Sequence, residues 1–166
     1  MIDFTKSKQY TLSIRLSTDG FSFSIYNPIH DDSLSIIEKE IDTSLSLTAN
    51  LKAVFHESDF LNHPYKRVNI MMASKRFTIA PLDLFEEGQA ELLFYHNHQK
   101  RENETVLYNI LRKNNVAVIF GIDKSAQTFL NEQYPEARFY SQSTPFIDYF
   151  SVKSRLGNSK KMYASV

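Results

Sequence analysis

The chain has 166 residues, with 19 lysines and arginines balanced by 19 aspartates and glutamates, so its formal net charge is zero. Duplex-binding proteins usually carry a basic surplus, because neutralising phosphates supplies their affinity, and this composition does not favour a nucleic-acid partner. Cysteine is absent, which excludes disulfide scaffolds, thiolate metal sites and cysteine nucleophiles. No signal peptide opens the chain and no apolar run could span a membrane, so the sequence predicts a cytoplasmic protein.

The first third of the chain predicts an antiparallel meander. Residues 10–17 and 21–26 alternate apolar and polar side chains with a period of two, and Asp19-Gly20 between them is a strong hairpin signal. The apolar positions of both strands are expected to face one layer, and the polar positions the opposite face. Residues 34–41 supply the third strand of the meander.

The rest of the chain alternates predicted helices and strands. Helices are expected near residues 46–60, 86–95, 124–134 and 144–156, and strands near 68–72, 76–80, 105–112, 116–120 and 137–140. The run 116–120 is continuously apolar, which is typical of a strand buried on both faces. On the last helix, Phe146, Tyr149 and Phe150 recur at helical spacing, which predicts a core-facing stripe, with a protein-contact surface as the alternative.

The length suits one domain. We expect a single α/β domain over residues 1–156, with an elaboration at about 73–115, and a linker and the start of a second half over 157–166. That last segment ends in Met162, Tyr163 and Val166, which resemble the beginning of an unpaired strand. Such a strand can pair with another sheet edge, so these three residues are candidate contacts for a protein partner or for self-association.

A family resemblance follows from this order of elements. Three antiparallel strands, a helix, a strand and then strand–helix pairs resemble the ribonuclease-H-like unit that actin-like ATPases use twice. Through residues 12–26, 77–85 and 106–122, the sequence also resembles an uncharacterised bacterial family, a domain of unknown function with an actin-like ATPase fold. The resemblance implies a meander that continues into a mixed sheet with helices packed on it. It also implies a longer chain whose second half begins near residue 157.

The resemblance places a phosphate loop at the first hairpin, with an Asp-x-Gly pattern at the end of strand one. Here Arg15 stands where a carboxylate that organises the metal is expected, and a cation there repels Mg²⁺ but could contact a phosphate directly. Each of the four glycines stands alone, so no glycine-rich phosphate loop is available. Arg15, Asp19 and Gly20 are therefore candidate anion-binding residues, with an ordinary tight turn as the alternative. ATP and magnesium are not predicted as cofactors.

The sequence gives little support for nuclease activity or for a histidine metal site. Nuclease activity on this fold needs several carboxylates around two metal ions, and strand one carries none. His96 and His98 form a His-x-His pair that could chelate a metal, but no third ligand is fixed by the sequence, and solvated histidines near a helix end are the alternative. We therefore predict no metal site and no catalytic residues.

Two functional hypotheses remain open. The first is a non-catalytic domain of actin-like fold that acts through protein–protein contacts, because glycine loops and the strand-one carboxylate are missing. The second is a nucleotide-binding protein whose ATP site requires a second half that this chain does not contain. The sequence does not decide whether the protein is an enzyme, and it favours neither a membrane nor a nucleic acid as a partner.

Overall fold

The computed structural model describes residues 2–30 and 33–156, the last three of them by backbone alone. Met162, Tyr163 and Val166 therefore lie outside the described residues. Three strands, β1 (Thr11–Ser17), β2 (Gly20–Tyr26) and β3 (Leu34–Glu40), form the predicted antiparallel meander. The alternating positions behave as expected, since the apolar side chains of β1 and β2 are buried on one face and the polar ones lie on the other.

The meander extends into a mixed sheet through two parallel strands. Helix α1 (Leu47–Glu57) starts where a helix was expected, and the Ser46 hydroxyl caps it by accepting a hydrogen bond from the Ala49 amide at 3.1 Å. It ends three residues before the predicted boundary, because Ser58 is extended and a short 3-10 turn follows. The chain then forms β4 (Arg67–Ala73), which pairs parallel to β1.

A second sheet follows β4. Its strands are β5 (Phe77–Pro81), β6 (Glu104–Leu111) and β7 (Val116–Asp123), antiparallel in the order β5-β7-β6. Helix α2 (Ala90–Asn97) packs on this sheet through a small core of Ala80, Ala90, Phe94 and Ile119. The helix begins later than predicted, because a 3-10 turn occupies Glu87–Gln89. All three strands were expected, whereas their separation into a sheet of their own was not.

The chain returns to the first sheet through α3 (Lys124–Gln133) and β8 (Arg138–Ser141), and β8 pairs parallel to β4. The five-stranded order is β3-β2-β1-β4-β8. Helices α1 and α3 cover the apolar face of this sheet and enclose the main core, which includes Leu12, Ile14, Phe23, Leu51, Phe55, Ile70 and Leu130. The central strand β7 is buried along six consecutive residues, as its apolar sequence predicted.

Asn109 of β6 joins the two sheets. Its Nδ2 donates a hydrogen bond to the Phe139 carbonyl at 2.9 Å, while its Oδ1 accepts from the Ser141 amide at 3.0 Å and the Thr144 hydroxyl at 2.7 Å. The side-chain amide therefore forms hydrogen bonds with the main chain of β8, as the main chain of a neighbouring strand would. It also fixes the first turn of α4 (Ser143–Leu156) relative to the second sheet.

The outward face of α4 corrects one expectation. Thr144 is buried and Ile147 is half-buried, so this side of the helix faces the body of the protein. Phe146 and Tyr149 are exposed, the latter at 55%, and the prediction of a core-facing stripe is wrong for both. The reason is that α4 packs against β6, β8 and the turn Arg112–Asn114 with its other side, which leaves Phe146 and Tyr149 facing away from these elements. None of the described helices has the length and apolar character needed to cross a membrane.

Candidate functional site

The parallel strands β1, β4 and β8 end at one edge of the sheet, beside the β1–β2 hairpin. In α/β sheets, ligands bind in the crevice outside the carboxyl ends of the strands. Arg15, near the end of β1, donates from Nε to Gln142 Oε1 at 3.2 Å, directly after β8. In the turn, the Asp19 amide donates to Ser17 Oγ at 3.2 Å, and the Thr18 hydroxyl donates to the Asp19 carboxylate at 3.0 Å. The structure thus places Arg15 and Asp19 at this edge.

A cleft of about 630 Å³ opens at this edge, and we call it the basic cleft. Its charged lining consists of four cations and one carboxylate: Arg15, Lys75, Arg76, Arg101 and Asp19. Ser74, Gln142 and Ser143 add polar groups. Glu104 neutralises Arg76, so three positive charges and one negative charge give the cleft the electrostatic character of an anion site.

The four cations of the basic cleft are not equivalent. Arg76 is committed to an ion pair with Glu104, and Arg15 is held by Gln142. Lys75 and Arg101 are exposed, and within the described residues neither has a hydrogen-bonding or ion-pair partner. The loop that carries Arg101 is fixed by Asn103, which donates to the Asp123 carboxylate at 3.0 Å and accepts from the Lys124 amide at 2.8 Å.

The Arg76–Glu104 pair is the most highly connected charged group of the protein's described part. Arg76 Nε and Nη2 donate to the two carboxylate oxygens of Glu104 at 2.9 and 2.7 Å, and Nη2 also donates to the Gln99 carbonyl. The side chains are 15% and 8% exposed, and the guanidinium lies over the Phe94 ring. Burial raises the pKa of the Tyr95 phenol, and the Glu104 carboxylate, whose Oε1 accepts its hydrogen bond, raises that pKa further. Glu104 therefore neutralises Arg76 and links β5 to β6.

Gly20, a candidate anion-binding residue, and Gly121 both serve packing. A Cβ at Gly121 would lie 2.5 Å from Glu104 Oε2, so the glycine makes room for the buried carboxylate. A Cβ at Gly20 would lie 2.8 Å from the Lys39 carbonyl oxygen, so this glycine permits the close pairing of β2 with β3. Both positions thus have a structural cause within the protein's own contacts.

The histidine pair does not converge. His98 lies with Nε2 3.0 Å from the Phe77 carbonyl oxygen and packs against the Phe94 ring, whereas His96 is exposed on the last turn of α2. Across residues 2–30 and 33–156, no group of three histidine, aspartate or glutamate side chains is assembled that could hold a metal ion. The basic cleft therefore presents cations that an anion could contact. The described residues contain no carboxylate cluster that could hold a metal ion there.

Sequence reasoning found part of this site. Arg15 and Asp19 were singled out, but Lys75, Arg76 and Arg101 were not. A signal existed for Lys75 and Arg76, because a basic pair one residue beyond a parallel strand lies at the carboxyl edge of the sheet. Arg101 had no such signal, since its position depends on how the loop before β6 folds back over the first sheet.

A second candidate surface is apolar and lies on the edge strand β3. Leu34 and Ile36 point to the face opposite the core and are 57% and 62% exposed, and Tyr26, which pairs with Leu34 in the ladder, is also exposed. Strand β3 is the outermost strand of the five-stranded sheet, and no described strand pairs with its free side. Its main-chain groups on that side are therefore available to another strand.

Comparison with known proteins gives a family and a fold. The chain aligns over residues 1–166 with a family described as a protein of unknown function, DUF3822. It is similar to a solved protein of Bacteroides thetaiotaomicron VPI-5482, described as having an actin-like ATPase fold and unknown function, with 83% identity and a TM-score of 0.93. The match covers 100% of this chain and 65% of that one, so this chain spans less than two thirds of its relative. No curated protein matches the chain.

These matches confirm the expected α/β architecture, a meander that continues into a mixed sheet within the actin-like ATPase fold. They also agree with the predicted resemblance to a bacterial domain of unknown function. Because the family match extends over the whole length, the chain belongs to the DUF3822 family.

Proposed function

We propose that this chain is a non-catalytic domain of actin-like fold that acts through protein contacts, and that it pairs with a second copy of itself along β3. One observation carries the proposal: a seven-residue edge strand presents free main-chain groups beside the exposed apolar side chains of Leu34, Ile36 and Tyr26. Natural proteins usually protect such edges with charge, proline or a covering element. Charge is confined to Glu38, Lys39 and Glu40 at one end of β3, and the apolar other end favours pairing with another strand.

The charges of β3 are compatible with a second copy in antiparallel orientation. In a pairing that is centred on Ile37, Lys39 stands opposite Ser35 of the other copy, and Glu38 stands opposite Ile36. Like charges directly opposite one another would destabilise the pair, and this register contains none. In a two-fold interface of this kind, both copies contribute the same surface. The zero net charge of the chain adds no long-range repulsion between them.

Size-exclusion chromatography with light scattering tests the pairing. We expect a mass of twice 19.3 kDa at high protein concentration and dissociation on dilution. Ile36→Glu should give a monomer at all concentrations, because it places a second carboxylate directly opposite Glu38 of the other copy. Leu92→Glu is the matched control, since Leu92 is 72% exposed on α2, which packs on the second sheet, and should leave the dimer intact.

A tryptophan probe gives an independent measurement. The chain contains no tryptophan, so Tyr26→Trp introduces a single tryptophan beside Leu34. Its emission should shift to shorter wavelength as concentration rises, and the shift should vanish when Ile36→Glu is added. A strictly monomeric protein, or a dimer that Ile36→Glu leaves unchanged, would disprove pairing along β3.

The second candidate function is binding of a nucleotide, or another phosphorylated small molecule, in the basic cleft. Lys75 and Arg101 favour it, because both line the cleft and neither has a partner among the described residues. Guanidinium and ammonium groups bind phosphate directly, so this site would work without a metal ion. In a longer family member, the ligand would also contact the additional part of the chain.

Thermal denaturation with inorganic pyrophosphate and with ATP, each with and without Mg²⁺, tests the second candidate. A ligand at about 100 times its Kd stabilises the protein by about 2.7 kcal/mol. We expect stabilisation without Mg²⁺ that weakens with salt and is lost in Lys75→Ala and Arg101→Ala. Lys52→Ala on α1 is the control for a lost surface cation. Stabilisation that requires Mg²⁺, or none with either compound, would contradict the metal-free site.

A further inference from the structure

The outward face of α4 carries three exposed apolar side chains on successive turns: Phe146, Tyr149 and Val152. Phe150 extends this group, since its ring stacks against Phe146 at 6.1 Å and meets the Tyr149 ring edge-on at 5.4 Å. Single exposed apolar residues are ordinary, whereas a contiguous group with a polar rim is typical of an interface. We call the three exposed residues, Phe146, Tyr149 and Val152, the α4 face.

The α4 face is held in a fixed position. The Thr144 hydroxyl donates to Asn109 at 2.7 Å, which ties the first turn of the helix to the second sheet. At the far end, Lys153 Nζ lies 5.5 Å from the centre of the Tyr149 ring and donates to its hydroxyl at 3.3 Å. The aromatic side chains are thus arranged in advance, which lowers the entropy lost when another surface covers them.

We propose that the α4 face is the docking surface for the additional segment present in longer DUF3822 chains. The Bacteroides relative is 83% identical over this whole chain, yet about a third of its own length lies outside the match. Among the described residues, helix α4 carries this apolar face without a strand or helix over it. This inference concerns another surface than β3 and does not depend on pairing between copies.

Tethering favours this occupant over a second copy. A segment of the same chain is presented to the α4 face at millimolar effective concentration when the linker is short, whereas a second copy must reach the face from dilute solution. A surface with three exposed apolar side chains and a Lys153–Tyr149 contact at its rim also matches the composition of interfaces between domains, which combine an apolar centre with a polar edge.

A thiol-accessibility experiment tests the proposal, because the chain has no native cysteine. Val152→Cys is placed in this 166-residue chain and in the longer Bacteroides protein with its matched region replaced by this sequence. We expect the thiol to react with a maleimide about tenfold more slowly in the longer protein, since reaction follows exposure and local opening. Leu92→Cys is the control and should react at the same rate in both proteins. Peptide mass spectrometry assigns the modified position.

Thermal stability supplies a second measurement if labelling perturbs the fold. Tyr149→Lys should lower the Tm of the longer protein by about 4 °C or more, and leave that of this chain nearly unchanged. Equal labelling rates in the two proteins, or equal Tm shifts, would overturn the proposal. Protection in this chain that grows with its own concentration would identify a second copy as the occupant and would equally overturn it.

Discussion

Replacing Gly121 by alanine tests how the Arg76–Glu104 pair is accommodated. The added Cβ would lie 2.5 Å from Glu104 Oε2, 2.8 Å from its carboxyl carbon and 3.1 Å from the Phe94 ring. Ordinary van der Waals contact begins near 3.4 Å, so the carboxylate must retreat by about 1 Å. Its bonds to Arg76 are 2.9 and 2.7 Å long, and such a retreat breaks at least one of them.

The expected cost can be bounded from both sides. Breaking a buried ion pair costs about 3–5 kcal/mol, and Arg76 remains partly exposed, so the lower part of this range applies. The glycine-to-alanine exchange returns about 0.4–1 kcal/mol by restricting the unfolded chain. We therefore expect Gly121→Ala to reduce the free energy of unfolding by about 2–4 kcal/mol. For a domain of this size, the Tm would fall by about 4–16 °C.

Urea denaturation followed by circular dichroism measures this loss. Gly88→Ala is the matched control, because a Cβ there meets nothing within 4 Å and the exchange should be neutral or slightly stabilising. In a Glu104→Ala background the contact no longer exists, so Gly121→Ala should cost little there. The reasoning is refuted if Gly121→Ala behaves like Gly88→Ala, or if its cost is the same with and without Glu104.

Three other predictions concern individual side chains. Asn109→Ala removes three hydrogen bonds and should reduce the free energy of unfolding by about 1–3 kcal/mol in urea titrations. Ser46→Ala removes the bond to the Ala49 amide and should cost about 1 kcal/mol by the same assay. Burial raises the pKa of Tyr65 to about 12 from an ordinary 10.0, and raises that of Tyr134 as well. Both phenols stay neutral in the folded state while the unfolded chain ionises, so stability that is complete below pH 10 should fall as pH rises towards 12. Each tyrosine contributes at most about 1.4 kcal/mol per pH unit, less for the half-exposed Tyr65, and Tyr134→Phe should flatten the alkaline decline in denaturant titrations.

Local patterns were sufficient for the meander and for most element positions. Strands β1 and β2 alternate strictly, and a one-residue shift would bury Arg15 and expose Ile14, so their register is fixed by the sequence itself. Ser46 and Asp123 mark helix starts because short polar side chains accept bonds from the amides of the first turn. Such information is local, and it does not depend on the tertiary structure.

Long-range arrangement explains what could not be predicted. The pattern of β7 indicated burial on both faces but not that β5 and β6 are its neighbours. The spacing of Phe146 and Tyr149 is the same whether α4 turns this face inward or outward, and the Asn109–Thr144 bond on the opposite side accompanies the outward arrangement. For the same reason, Arg101 joins the basic cleft only through the folded loop before β6.

The cations beside the carboxyl ends of β1 and β4 differ in how far they are neutralised within the fold. The family resemblance leads one to expect a carboxylate at the position of Arg15, and the cation that follows β4, Arg76, is neutralised by Glu104. Gly121 makes room for that same Glu104 carboxylate. Any anion in the basic cleft would therefore meet Lys75 and Arg101 first, and removing these two side chains distinguishes a ligand site from a cluster of solvated cations.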